Sequence, residues 1–170
     1  MRRCRWCQSD ELLRRYHDEE WGEKAAADED IFERLMLEIF QAGLSWKLVL
    51  KKRASMREAF CDFDLNKAAF LTEEDINAYL HDPRVIRHRK KLEALVFNAN
   101  QCLLLKRSYG SLRKYLDQLH QKDLDEVIKE LKNSFRFVGD KTAYSFLEAM
   151  GLVEPKHDPD CWKYKKESRE

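Results

Sequence analysis

The chain has 170 residues, with 32 Lys and Arg against 31 Asp and Glu, for a formal net charge of +1. That length suits one domain with a real hydrophobic core, and near-neutrality excludes a broadly basic coat, so a nucleic-acid partner would have to be met by a local patch. There is no signal-peptide hydrophobic region and no apolar run near 18 residues, which predicts a soluble, cytoplasmic protein without a membrane partner; five cysteines then read as thiols in a reducing compartment.

The first stretch, through Gly22, gathers Cys4, Cys7 and His17 with Trp6, Tyr16 and Trp21. Asp28 or Asp30 can cap a helix whose apolar positions are Ile31, Phe32, Leu35 and Ile39, the spacing of one helical face. Gly43 ends it, and Ser45 can cap a helix with Trp46, Val49, Leu50 and Met56 inward. Asp64 starts a short helix over 65–71, and Thr72-Glu73-Glu74-Asp75 resembles a capping box for the next. Pro83 breaks the chain before a long helix predicted from about Val85 to Lys106. Ser108-Tyr109-Gly110 is a turn, and helices follow over Leu112 to Leu119 and from Asp123 through Leu131. Residues 134–139 form a tight connector, and Asp140 to Met150 is helical again. Sustained period-2 alternation and repeats are absent, so the class is all-α, a single domain spanning 1–170.

Four features bear on chemistry. Cys4, Cys7 and His17 at one end and His157-x-x-x-Cys161 at the other are two half-sites. One thiolate and one imidazole from each end would complete a Cys2His2 zinc site, a clasp from 4–17 to 157–161; alternatively the cysteines are buried small hydrophobes. Trp6, Tyr16, Trp21 and Trp46 all lie near Cys4, His17 or Glu38 in sequence. A carboxylate among indoles and a phenol suits a flat, cationic, hydrogen-bonding ligand; the plainer alternative is core tryptophans and a boundary Glu. At the 134–139 connector, Gly139 lets backbone N–H groups approach an anion, the second helix presents its positive N-terminus, and Lys141 adds a charge. That is a helix-hairpin-helix shape over about 124–150, suited to gripping a DNA phosphate, or an ordinary αα-corner. Arg84, Arg87, His88, Arg89, Lys90 and Lys91 make the densest positive cluster, either a phosphate-facing patch or a solvated helix face.

Taken together, several stretches match a known family. They are Arg3-Cys4-x-Trp6, Tyr16-His17-Asp18-x-Glu20-Trp21-Gly22, Leu37-Glu38-x-Phe40-Gln41-Ala42-Gly43-Leu44-Ser45-Trp46, Ile86-Arg87-His88-Arg89-x-Lys91, Phe135-x-Phe137-Val138-Gly139, Tyr144-Ser145-Phe146 and Gly151-Leu152-Val153. In these the chain resembles the bacterial DNA-3-methyladenine glycosylase I family, within the helix-hairpin-helix DNA glycosylase superfamily. The likeness runs from Arg3 to Cys161.

The resemblance implies a monofunctional base-excision repair glycosylase that flips 3-methyladenine out of alkylated double-stranded DNA and releases it hydrolytically, as a monomer. It implies Cys4, His17, His157 and Cys161 as ligands of one structural zinc, with Cys7 a spare thiol. Glu38, the catalytic candidate, would accept from the exocyclic amine of the flipped base. Tyr16 and Trp46 would bond to and stack on that base, with Trp6 and Trp21 as aromatic surroundings. Leu44 would wedge into the duplex, while Arg87, Phe137, Val138, Gly139 and Lys141 would hold the backbone. Methylation at ring position 3 makes adenine a cationic leaving group, so departure needs little acid help and no Schiff-base lysine. Asp158 and Asp160 lie where the wider superfamily carries a catalytic aspartate, but inside the zinc half-site. The chain departs from common family residues at Ile39, at Asp140-Lys141 and over 23–27. Two rival readings are a non-catalytic, zinc-stabilised DNA-structure-binding protein, which has no use for Glu38 in an aromatic pocket, and a zinc-stabilised helical interaction domain, for which the basic patch would be mere solvation.

Overall fold

A computed structural model of the protein describes residues 1–164, and among them every regular element is helical. A 3-10 turn, Arg5–Cys7, precedes α1 (Glu11–Glu19), α2 (Asp28–Gln41), α3 (Trp46–Ala59), α4 (Leu65–Ala69) and α5 (Glu73–Tyr79). The chain continues through α6 (Arg89–Tyr109), α7 (Leu112–Leu119), α8 (Leu124–Ser134) and α9 (Asp140–Ala149). Among the described residues, no helix is long and apolar enough to cross a membrane.

The helix starts follow their side chains. Ser45, Asp64 and Ser111 accept from the backbone N–H three residues on, at 3.2, 2.8 and 3.1 Å, and Thr72 with Asp75 closes a reciprocal capping box. Three boundaries differ from the sequence expectation. Helix α1 is capped by Asp10; its buried face is only Leu13, Tyr16 and His17, too short a stripe to announce itself. Neither Asp28 nor Asp30 caps α2, where Ala27 holds the cap position. Asp28 instead accepts from the Leu112 N–H at the start of α7 and pairs with Lys106, both at 2.8 Å. Helix α6 begins at Arg89, four residues late, because Asp82 accepts from the Arg84 N–H at 2.9 Å and holds the chain in a turn. The His88 ring then caps the helix by accepting from the Lys91 N–H at 3.3 Å.

Helix α2 is the axis of the fold. Residues 35–40 are buried without a break, the signature of a helix surrounded by others; it packs against α3, α6, α7 and α9. Ile39 is fully buried in this main core with Phe32, Met36 and Phe40. A second, smaller cluster of Cys4, Cys7, Leu13, Tyr16, Leu50 and Cys161 joins the two ends of the chain, with Trp21 and Trp46 packed on it.

Two glycines permit that closure. Gly22 and Gly151 both have left-handed backbone, at φ +83° and +67°. A Cβ on Gly151 would lie 2.4 Å from the Gly22 carbonyl oxygen, and one on Gly22 would lie 2.5 Å from Pro155. Their contact lets the segment after α9 fold back to bring His157 beside His17. Beneath it, Arg34 on α2 donates to the carbonyls of Glu23 at 2.6 Å and Ala149 at 3.0 Å. Arg53 on α3 bridges Glu20 and Glu33, and Arg57 completes the network on Glu33. Burial alone would raise the Glu33 carboxyl, but the two guanidinium groups hold it below its ordinary value.

Candidate active site and metal cluster

The two half-sites meet. Ligand atoms of Cys4, His17, His157 and Cys161 all lie within 4.8 Å of one another. Cys4 Sγ is 3.4 Å from His157 Nδ1; Cys161 Sγ is 3.4 Å from His17 Nε2 and 3.6 Å from His157 Nδ1. Tetrahedral zinc with ordinary Zn–S and Zn–N bonds sets such S···N edges at about 3.6 Å, so the donor set and its spacing fit that ion. The other nitrogen of His17, Nδ1, lies 2.8 Å from Asp18, which accepts from Arg3 at 2.7 Å. That carboxylate orients the ring with Nε2 toward the cluster, as second-layer partners of metal ligands do. Cys7 is outside: its Sγ donates to the Cys4 carbonyl at 3.1 Å. Asp158 belongs to the same lobe, accepting from the Arg5 N–H at 2.7 Å while its own N–H donates to Cys4 Sγ at 3.2 Å.

The aromatic residues assemble against this cluster. Trp21 is edge-on to His157 at 4.8 Å and to Trp6 at 5.3 Å; Trp6 reaches Tyr16 at 6.4 Å. Tyr16 and Trp46 stack at 5.0 Å with 26° between their planes. Two stacking spacings need about 7 Å, so a third ring does not fit between them as they stand. Trp6 and Trp46 are partly exposed, whereas Tyr16 is buried.

Glu38, on α2, is 3 % exposed, and its Oε2 is buried without a hydrogen-bond partner. Burial, followed by the nearby Glu148 carboxyl on α9, pushes its pKa up to about 8. Burial and then the Glu38 charge raise the Tyr16 phenol well above its usual value, which puts the two groups in the same neighbourhood. Glu38 thus presents an acid with an unused acceptor near Tyr16, one of the two stacked rings. A cavity of about 800 Å³ also opens beside Tyr16, but its walls include the paired groups Glu20, Arg34, Arg53 and Arg57, and neither Glu38 nor Trp46 lines it.

The residues expected to face DNA lie on the 42–45 turn, on the connector between α8 and α9 with the first turn of α9, and, for Arg87, just before α6. In the 42–45 turn, Gly43 is left-handed at φ +79°, and Leu44 is half-buried against the main core. Gln41 braces the turn by donating to the Leu44 carbonyl at 2.9 Å. In the connector between α8 and α9, Phe137 and Gly139 are exposed and Val138 is half-buried, and Lys141, in the first turn of α9, is exposed. The left-handed residue there is Phe137, at φ +60°, rather than Gly139. Gly139 instead occupies the cap position of α9, with open space where a Cβ would stand. Asp140 is the first residue of α9 and pairs with Lys132 at 2.8 Å, which balances its charge beside Lys141.

The positive cluster is smaller than its sequence suggests. Arg84 is engaged by Asp82, Arg89 by Glu73 and Asn77, and Lys91 is buried at 3 % exposure. Arg87 and Lys90 remain exposed. His88 is edge-on to Phe137 at 5.6 Å, which sets this segment against the connector. Asn98 and Glu148 lie nearby without any sequence signal, while Lys91, although inside a matching stretch, read as one charge in a run.

The Methyladenine glycosylase family model matches residues 6–133. The chain belongs to the methyladenine glycosylase family. It is 38% identical to the DNA-3-methyladenine glycosylase of Haemophilus influenzae, covering 94% of this chain and 96% of that one. Identity is 37% with DNA-3-methyladenine glycosylase 1 of Escherichia coli, over 90% of this chain and 92% of the relative. A crystal structure of 3-methyladenine DNA glycosylase I superposes with a TM-score of 0.86 at 34% identity, covering 96% of this chain and 100% of the other. The structure describing 3-methyladenine recognition by the Staphylococcus aureus enzyme gives 0.84 at 37% identity, over 96% and 97% of the two chains. This glycosylase-family fold therefore extends across both the aromatic cluster and the metal-ligand cluster.

Proposed function

We propose that the protein is a DNA-3-methyladenine glycosylase, a hydrolase of the N-glycosidic bond, acting on alkylated bases in double-stranded DNA in the bacterial cytoplasm as a monomer. The observation that carries the reading is the buried, unpartnered Glu38 oxygen, whose charge acts on Tyr16 of the Tyr16–Trp46 stack, in a chain of this family. A 3-methylated adenine still bonded to its deoxyribose is a cation with an exocyclic N–H donor. It supplies both things Glu38 lacks, a positive charge and a hydrogen bond, while neutral adenine supplies only the second. Discrimination then lies in electrostatics: ionising Glu38 is costly when it faces burial and Glu148, and favourable when it faces a cationic ring.

The remaining residues take their roles around that contact. Trp46 or Trp6 shifts to admit the base, whose face stacks on the aromatic rings. Leu44 fills the space the flipped nucleotide leaves. Arg87, Lys141 and the backbone at Phe137, Val138 and Gly139 hold phosphates, the α9 N-terminus adding its partial positive charge. Breaking the glycosidic bond releases a neutral base, and water adds to the sugar carbon that develops positive charge. No amine nucleophile is required. Lys91, although buried, has its ammonium held by two carbonyls. Zinc held by Cys4, His17, His157 and Cys161 would be structural, tying the ends of the chain together. Incubating the protein with methylated duplex DNA and measuring free 3-methyladenine tests the reading; a protein that binds this DNA but frees no base would favour the non-catalytic alternative.

A further inference from the structure

Helix α6 anchors both loops expected to touch DNA. Its buried Lys91 donates to the Phe40 carbonyl at 2.8 Å and the Ala42 carbonyl at 2.6 Å, the C-terminal end of α2 where the 42–45 turn departs. The same ammonium lies 5.7 Å from the centre of the Phe137 ring, within the range of cation–π attraction. Seven residues along, the buried Asn98 clasps the backbone next to Phe137, donating to the Arg136 carbonyl at 3.1 Å and accepting from the Arg136 N–H at 2.8 Å. The Arg136 guanidinium in turn lies over Phe97 at 4.0 Å. Phe137 itself keeps a left-handed backbone, φ +60°, which a bulky residue adopts only when its surroundings impose it.

We propose that Lys91 is a positioning residue that fixes the Leu44 turn against the Phe137 connector, so that gripping the phosphate and extruding the base occur in one geometry. This rests on the glycosylase reading above. A lysine suits the task because one ammonium satisfies two carbonyls of a helix end and still presents charge to a ring. Burial lowers its pKa, yet an amine with two carbonyl acceptors is poorly placed to act as a nucleophile.

The test compares the full-length protein with Lys91→Met, Phe137→Leu and the double variant. Zinc content and melting temperature are checked in each. Affinity for free 3-methyladenine, affinity for lesion-free duplex and single-turnover base release from methylated duplex are then measured. Lys91→Met should slow release on the order of tenfold or more, the scale on which misplacement of oriented groups is felt, while affinity for the free base is retained. Phe137→Leu removes the other half of the contact at a half-exposed position, and should reproduce part of the defect in a fully folded protein. The double variant should be no slower than Lys91→Met, because both substitutions break one link. Wild-type release in Lys91→Met, or losses in the two single variants that simply multiply, would overturn the proposal. If Lys91→Met does not fold, normal release by Phe137→Leu overturns it instead. Failure of the unsubstituted protein to release any base would remove the functional reading, and this inference with it.

Discussion

Replacing Glu38 by Gln should make the protein more stable and less able to recognise its base. The folded pKa of Glu38 is about 8, against 4.5 for the free side chain. Its folded value is raised, so the stabilisation relative to an ionised unfolded chain is complete below pH 4.5 and is lost as pH rises to about 8. At roughly 1.4 kcal/mol per unit, the cost near pH 7 is on the order of 3 kcal/mol. A neutral amide escapes it. The decisive assay is chemical denaturation of both proteins across pH: the advantage of Glu38→Gln should be small at about pH 4.5 and grow through neutrality. Affinity for free 3-methyladenine should fall by roughly 1–3 kcal/mol, since one acceptor becomes a donor facing a donor. A stability difference that does not change with pH would refute the argument, because desolvation of an ionisable group cannot produce it.

Cys161→Ala should lower zinc content and melting temperature together, whereas Cys7→Ala, which removes a buried side chain outside the ligand set, should leave zinc content near wild type with at most a modest fall in melting temperature; full zinc occupancy in Cys4→Ala would exchange the roles of the two cysteines. Arg87→Ala and Lys141→Ala should each weaken binding to lesion-free duplex and reduce the salt slope by about one, and unchanged affinity with both replaced would make the exposed charges mere solvation. Leu44→Ala should spare that weak binding while slowing base release. Binding of free 3-methyladenine should alter tryptophan fluorescence, because the Tyr16–Trp46 spacing of 5.0 Å must change if a base is to enter between the rings; an unchanged spectrum on saturation would place the base elsewhere.

What the sequence made legible was local or motif-borne. Capping by Ser45, Asp64 and Thr72 depends on a side chain and the backbone three residues away, and the structure keeps all three. The metal-ligand spacing marked two half-sites, but only the fold-back allowed by Gly22 and Gly151 separates Cys4 from Cys7. Partnership was not legible. Arg84, Arg89 and Lys91 look alike in a basic run, yet one is engaged by a neighbouring Asp, one by α5 and one is buried under the 42–45 turn. Glu148 shares the neighbourhood of Glu38 only because α9 packs on α2. Asp28 failed as a cap for a similar reason, since a long-range N–H at Leu112 claims its oxygen.

The most direct test of the central claim is single-turnover release of 3-methyladenine from methylated duplex DNA by the wild-type protein, Glu38→Gln and Asp158→Asn, with folding and zinc content verified in each. Free base should accumulate with the wild type, fall sharply with Glu38→Gln and persist with Asp158→Asn, whose carboxylate accepts from the Arg5 backbone in the metal lobe. Near-normal release by Glu38→Gln beside a folded but inactive Asp158→Asn would contradict the account.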